Sequence, residues 1–176
     1  MLTHDFIRHL ETSDGSRTFY DHFGGRGLVA VSADNQIYTV WSEEMLFKIY
    51  DSDATYMRAF YCPFDNSNLS REEALSFYDN EAFRNALRHE GIPNNWRTIE
   101  HFIIDDKNTL WASTITDDRK IYEWWVMDSY GNLQAKFEWP RGKEIKKIKN
   151  GFAYVLETEE ETGLQEVIKY RIQWND

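Results

Sequence analysis

At 176 residues the chain is long enough for one domain with a real core, and an aromatic content of 16% with seven tryptophans suits sheets packed face to face. A net charge of −10 argues against nucleic acid or an anionic membrane as the main partner. A single cysteine, Cys62, excludes an internal disulfide and reads as a small buried apolar residue.

The first ten residues carry His4, Asp5, Arg8 and His9 and no apolar core, so they do not read as a signal peptide. No run is long enough to span a membrane. The expected location is the cytoplasm, or outside the cell if a leader has been removed. An isolated strand is expected over 5–10. The glycine-rich Phe23-Gly24-Gly25-Arg26-Gly27 lacks the Gly-Lys-Ser/Thr ending of a phosphate loop and reads as the entry to the first group of strands.

Next come Ile37-Tyr38-Thr39-Val40-Trp41 and Leu46-Phe47-Lys48-Ile49-Tyr50, β-branched and aromatic strands bounded by turns at Asp34-Asn35 and Asp53-Ala54. Residues 64–98 break this pattern. Ser70-Arg71-Glu72-Glu73 has the form of a capping box. Leu75, Tyr78, Ala82, Ala86 and Leu87 follow at helical spacing, and Gly91 and Pro93 end the run. One helix or two short ones is expected, either as a lid over a binding surface or as packing between sheets. Strands then resume at 121–126 and 167–172, with turns at Lys107-Asn108, Tyr130-Gly131-Asn132 and Asn150-Gly151. Arg141, Lys143, Lys146, Lys147 and Lys149 form a basic run interrupted by Ile145 and Ile148. It reads as a strand edge blunted by lysine.

The strands repeat as a unit. With a shift of 73, Val31 falls on Ile104, Asn35 on Asn108 and Tyr38 on Trp111. After the loop the shift is 77, and Ile49 falls on Val126, Asp51 on Asp128, Phe60 on Phe137 and Pro63 on Pro140. A third copy lies 43 further on, placing Tyr154 on Trp111 and Ile168 on Trp125. Such spacing belongs to four-stranded units that stack on one another.

The second unit, Phe102-Ile103-Ile104-Asp105-Asp106-Lys107-Asn108-Thr109-Leu110-Trp111 with Trp125-Val126-Met127-Asp128-Ser129-Tyr130-Gly131-Asn132-Leu133, resembles a blade of the six-bladed β-propellers of the NHL- and TolB-like group. The resemblance implies an all-β fold of antiparallel β-propeller blades, about three and four-stranded, with one helical insertion. The expected organisation is a single partial propeller domain over 1–176, with units at about 28–63, 99–140 and 144–174. The first unit departs from the blade pattern, having Asn35 and Ala54 where glycines are expected, and the third ends after its third strand. The resemblance also implies binding or scaffold roles more than catalysis.

Three blades do not close a ring, which takes roughly four to eight. An open arc leaves apolar faces and a strand edge bare. The expected solution is a homodimer forming six blades, with strand 5–10 pairing in trans, or pairing with another propeller half. A protein or small-molecule ligand is expected at the loops.

The loops after the second strands hold Glu43, Glu44, Asp117, Asp118, Glu159, Glu160 and Glu161. Carboxylates at a channel mouth could bind Ca2+, which wants several oxygen ligands, or serve as ordinary solvated loop residues with no cofactor at all. Asp51-Ser52-Asp53-Ala54-Thr55 after an apolar strand resembles the nucleophile motif of the haloacid dehalogenase phosphatases. That resemblance implies a phosphorylated Asp51, an acid/base Asp53 and Mg2+. Its repetition at Asp128-Ser129 points to a turn instead. The functional expectation is a non-catalytic binding or scaffold module. The alternative is a metal-dependent hydrolase using channel-mouth carboxylates or Asp51 and Asp53. The five histidines do not cluster in sequence.

Overall fold

The structure is a computed structural model that describes residues 7–12, 15–20, 22–159 and 161–174. It is mostly β. Strands β1 (Ile7–Thr12) and β2 (Gly15–Tyr20) form a hairpin of their own. Sheet 1 is β3 (Gly27–Val31), β4 (Ile37–Trp41), β5 (Leu46–Tyr50) and β6 (Tyr56–Tyr61). The insertion holds α1 (Arg71–Ser76) and α2 (Glu81–Glu90). Sheet 2 is β7 (Ile99–Ile104), β8 (Leu110–Ile115), β9 (Ile121–Met127) and β10 (Leu133–Pro140). Sheet 3 is β11 (Lys143–Lys149), β12 (Phe152–Thr158) and β13 (Gln165–Arg171). Every pairing is antiparallel between neighbours in sequence. The first strands, β3, β7 and β11, lie side by side. Among the described residues, no helix is long and apolar enough to cross a membrane.

The repeated sequence makes a repeated turn. Asp51 Oδ1 accepts from the amides of Asp53 (3.0 Å) and Thr55 (2.8 Å). Asp105 Oδ1 accepts from Lys107 and Thr109 (2.8 and 2.9 Å), and Asp128 Oδ1 from Tyr130 and Asn132 (2.8 and 2.9 Å). Each carboxylate ties down two backbone donors that the hairpin leaves free. The left-handed residue that closes each turn is Ala54 (φ 61°), Asn108 (φ 64°) or Gly131 (φ 88°). At Gly131 a second constraint applies, because a Cβ there would run into the Phe60 ring of sheet 1.

Cores form between the sheets. Leu28, Tyr38, Val40, Phe47 and Ile49 of sheet 1 pack with Phe102, Leu110, Ala112 and Met127 of sheet 2. The other face of sheet 2, through Trp111, Trp124 and Val126, packs with Ile145, Ile148, Ala153 and Val155 of sheet 3. Sheet 2 is thus covered on both sides, and β8 is buried along its whole length. Burying each large side chain here contributes about 1.5–3 kcal/mol. Cys62 is buried in the first interface, and burial pushes its thiol up.

One expectation changes. Strand 5–10 is not isolated: Ile7–Thr12 pairs with Gly15–Tyr20, a second run of residues able to form a strand that follows it closely. Residues 5 and 6 lie outside the described residues. Of the two forms expected for the insertion, one helix or two short ones, the chain takes the second: Asn80 starts α2 by accepting from the Ala82 amide at 2.8 Å. Ser70 caps α1 through the Glu73 amide at 3.1 Å, as the capping box predicts.

Candidate functional site at the loop end of the sheets

Antiparallel order places the loops after β4, β8 and β12 at one end, together with the segments that enter β3, β7 and β11. The insertion docks there. Leu69, Ala74, Tyr78, Leu87 and Trp96 pack with Phe23 and Ile115 into a third core. The insertion therefore builds this end of the molecule, alongside the loops.

The expected channel-mouth carboxylates have local tasks. Glu43 accepts from Trp41 Nε1 at 2.8 Å, Asp118 caps the Lys120 amide at 2.9 Å, and Glu159 accepts from the Thr162 hydroxyl. Glu44, Asp117 and Glu161 are exposed, and Glu160 lies outside the described residues. Among the described residues, no three His, Cys, Asp or Glu side chains come together as a metal site. Glu43 and Glu44 do share a cavity of about 430 Å³ with Tyr61, Asp65, Asn66 and Asn95. The buried Thr98 hydroxyl fixes its floor, 2.6 Å from Asn66 Oδ1 and 2.9 Å from the Glu43 carbonyl.

Beside this cavity lies a cluster of charges that spans the fold. Glu100 on β7 sits between two arginines. Arg26 Nη2 donates to its Oε1 at 2.6 Å and to its carbonyl at 2.7 Å, and Arg97 Nε donates to its Oε2 at 2.8 Å. Arg97 Nη1 also donates to the His22 carbonyl at 2.6 Å. Burial pushes Glu100 up, but the Arg97 and Arg26 charges outweigh it and hold the carboxyl below its ordinary range. Burial also holds His101 below its ordinary value, against the pull of Glu100 and Glu144. Tyr122 meets His101 edge-on at 6.0 Å, and burial together with the Glu100 charge pushes its phenol up to about 12. On its other side the Arg141 guanidinium lies 4.5 Å from the Tyr122 ring centre, its Nε donating to the Ile121 carbonyl at 3.0 Å. Arg119 continues the series, paired with Glu73 at 2.5 Å.

These residues carry no local spacing signal. They come from five separate segments and meet only because β3, β7 and the β10–β11 turn converge. Arg26 stands in the glycine-rich entry, His101 reads as a solitary histidine, and Arg141 opens the basic run. Asp51 and Asp53 lie at the opposite end, where Asp51 holds its own turn.

No family model matches the chain, and no curated protein matches it. Among solved structures it is similar to a protein of unknown function from Bacteroides caccae, with a TM-score of 0.40 and 11% identity over 89% of this chain. The match takes in 50% of that chain, so the present chain spans about half its length.

Proposed function

We propose that the chain is a non-catalytic binding and assembly module. In this reading it is half of a six-bladed β-propeller of the NHL- and TolB-like kind, and a second copy closes the ring. The observation that carries the proposal is the equivalence of its two open faces. Sheets 1 and 2 each present one face to the next sheet, through Tyr38, Val40 and Phe47 and through Trp111, Trp124 and Val126. By the repeat, Tyr154, Leu156 and Val167 hold that place on sheet 3, where Val167 is 67% exposed. Sheets 2 and 3 each receive a neighbour on their opposite face. The equivalent face of sheet 1 bears Val31, Ile37, Trp41 and Tyr50, with Val31 58% exposed.

Among the described residues, a giving face and a receiving face are therefore both left without a neighbouring sheet on one molecule. Head-to-tail contacts of this type close into a ring when the rotation permits. Charge also favours the pairing. Lys147, Lys149, Lys169 and Arg171 flank the sheet 3 face, and the turns at the edge of sheet 1 carry Asp34, Asp51 and Asp53. The Lys169 ammonium already lies 3.8 Å from the Phe152 ring centre on that face. The loop end, with its cavity and charge cluster, would then ring the channel mouth and offer the ligand surface. Hydrolysis at Asp51 finds no support in a carboxylate engaged by its own turn.

Light scattering of the full chain at micromolar concentration tests the proposal. A mass twice the 21.0 kDa of one chain is expected. A single-chain mass would overturn it.

A further inference from the structure

The charge cluster is unbalanced. Among the described residues, the guanidinium groups of Arg26, Arg97, Arg119 and Arg141 face two carboxylates, Glu73 and Glu100. The remaining neighbours do not make up the difference. Glu144, the other carboxylate sensed by His101, is paired with Lys146 at 2.5 Å, and burial disfavours the cationic form of His101. In a chain of net charge −10, the described residues thus gather an excess of two positive charges in a partly buried place. Such an excess is costly without a counter-charge.

The excess falls on Arg141. Among the described residues no carboxylate pairs with it. Its ring contact with Tyr122 and its Nε bond to the Ile121 carbonyl fix the plane of the fork, and its Nη2 is out of solvent with no acceptor. Arg119, 27% exposed, gives the cluster an outlet to solvent. A guanidinium fork fixed in its plane, with an Nη2 that has no partner, is suited to an oxyanion, which such a fork can bind with parallel hydrogen bonds. We infer that this cluster is a binding site for an oxyanion, the phosphate or carboxylate group of a small ligand, and that Arg141 is the residue that receives it. The site stands on one chain and does not require the ring.

Calorimetric titration of the full chain tests this, with inorganic phosphate in one arm and acetate in the other, ionic strength held constant with sodium chloride. Saturable binding is expected in at least one arm. Heat with phosphate alone assigns a phosphate group, and heat with acetate assigns a carboxylate. Arg141→Gln should weaken binding by roughly tenfold or more, while Arg88→Gln on the exposed side of α2 should leave it unchanged. If Arg141→Gln fails to fold, Arg141→Lys keeps the charge without the planar fork and should also bind more weakly. No saturable heat from either anion overturns the inference, and so does a folded Arg141 variant that binds as the wild type does.

Discussion

Sheets 1 and 2 are the same unit in two settings. Toward the next sheet they behave alike: Tyr38 and Trp111 are both buried, as are Phe47 and Trp124, and Ile49 and Val126. Away from it they part. Leu110, Ala112 and Thr114 are buried under sheet 1, while their equivalents Ile37, Thr39 and Trp41 meet solvent. Trp41 is 45% exposed where Thr114 is 0%. The backbone pattern is shared, so the difference comes from the neighbour. A face that is core in one copy of the unit is half-buried to exposed in the other.

The largest effects should follow burial rather than residue type. Trp124→Ala empties a site packed against Phe137 and sheet 3, and should cost about 3–5 kcal/mol in urea unfolding. Trp41→Ala removes the same ring from the open face and should cost single-chain stability under about 1 kcal/mol. Equal losses would mean that cover by a neighbouring sheet does not set the cost. Glu100→Gln comes next. It leaves Arg26 and Arg97 facing each other without a carboxylate, and a loss of about 3–5 kcal/mol is expected.

The pH response reads the same cluster. His101 is held below its ordinary value of about 6.5 in the fold, so the unfolded chain binds its proton first. The stability it contributes is full above about pH 6.5 and falls as the pH drops through the folded value. Glu100, held below its ordinary 4.5, adds a second loss at lower pH for the same reason. Unfolding free energy measured from pH 7 to pH 4 should therefore decline, and His101→Gln should flatten the upper part of the curve. A wild-type curve that is level down to pH 4 would contradict this.

The smallest effects concern the turns. Asp51→Ala and Asp128→Ala each remove an acceptor for two amides, and each should cost about 1 kcal/mol. Similar values would sharpen the view that the two aspartates do one job. A far larger loss at Asp51 would set it apart.

Much of this fold is legible in the sequence, because alternation, turn residues and the repeat all point the same way. Asn35, Asn108 and Asn150 sit where the chain takes positive φ, and Ser70 sits where α1 begins. The β1–β2 hairpin is missed because its second strand, Gly15–Tyr20, is weakly apolar and lacks clear alternation. The charge cluster is missed for a different reason. Arg26, Glu100, Tyr122 and Arg141 are far apart in the chain, and only the convergence of the first strands joins them. The loop carboxylates are visible by repeat position, yet position within a unit does not bring side chains together. Glu43 and Asp118 bond within their own loops.

The comparison of faces is tested most directly by a pair of variants. Val31→Lys blocks only the receiving face of sheet 1, and Val167→Lys only the giving face of sheet 3. Both positions are exposed, so each chain should fold with stability within about 0.5 kcal/mol of the wild type. In sedimentation, each variant alone should be a single chain. Mixed, they should form one heterodimer through the sheet 3 face of the first and the sheet 1 face of the second. Variants that remain apart when mixed, or that each still dimerise alone, would rule out closure through these two faces.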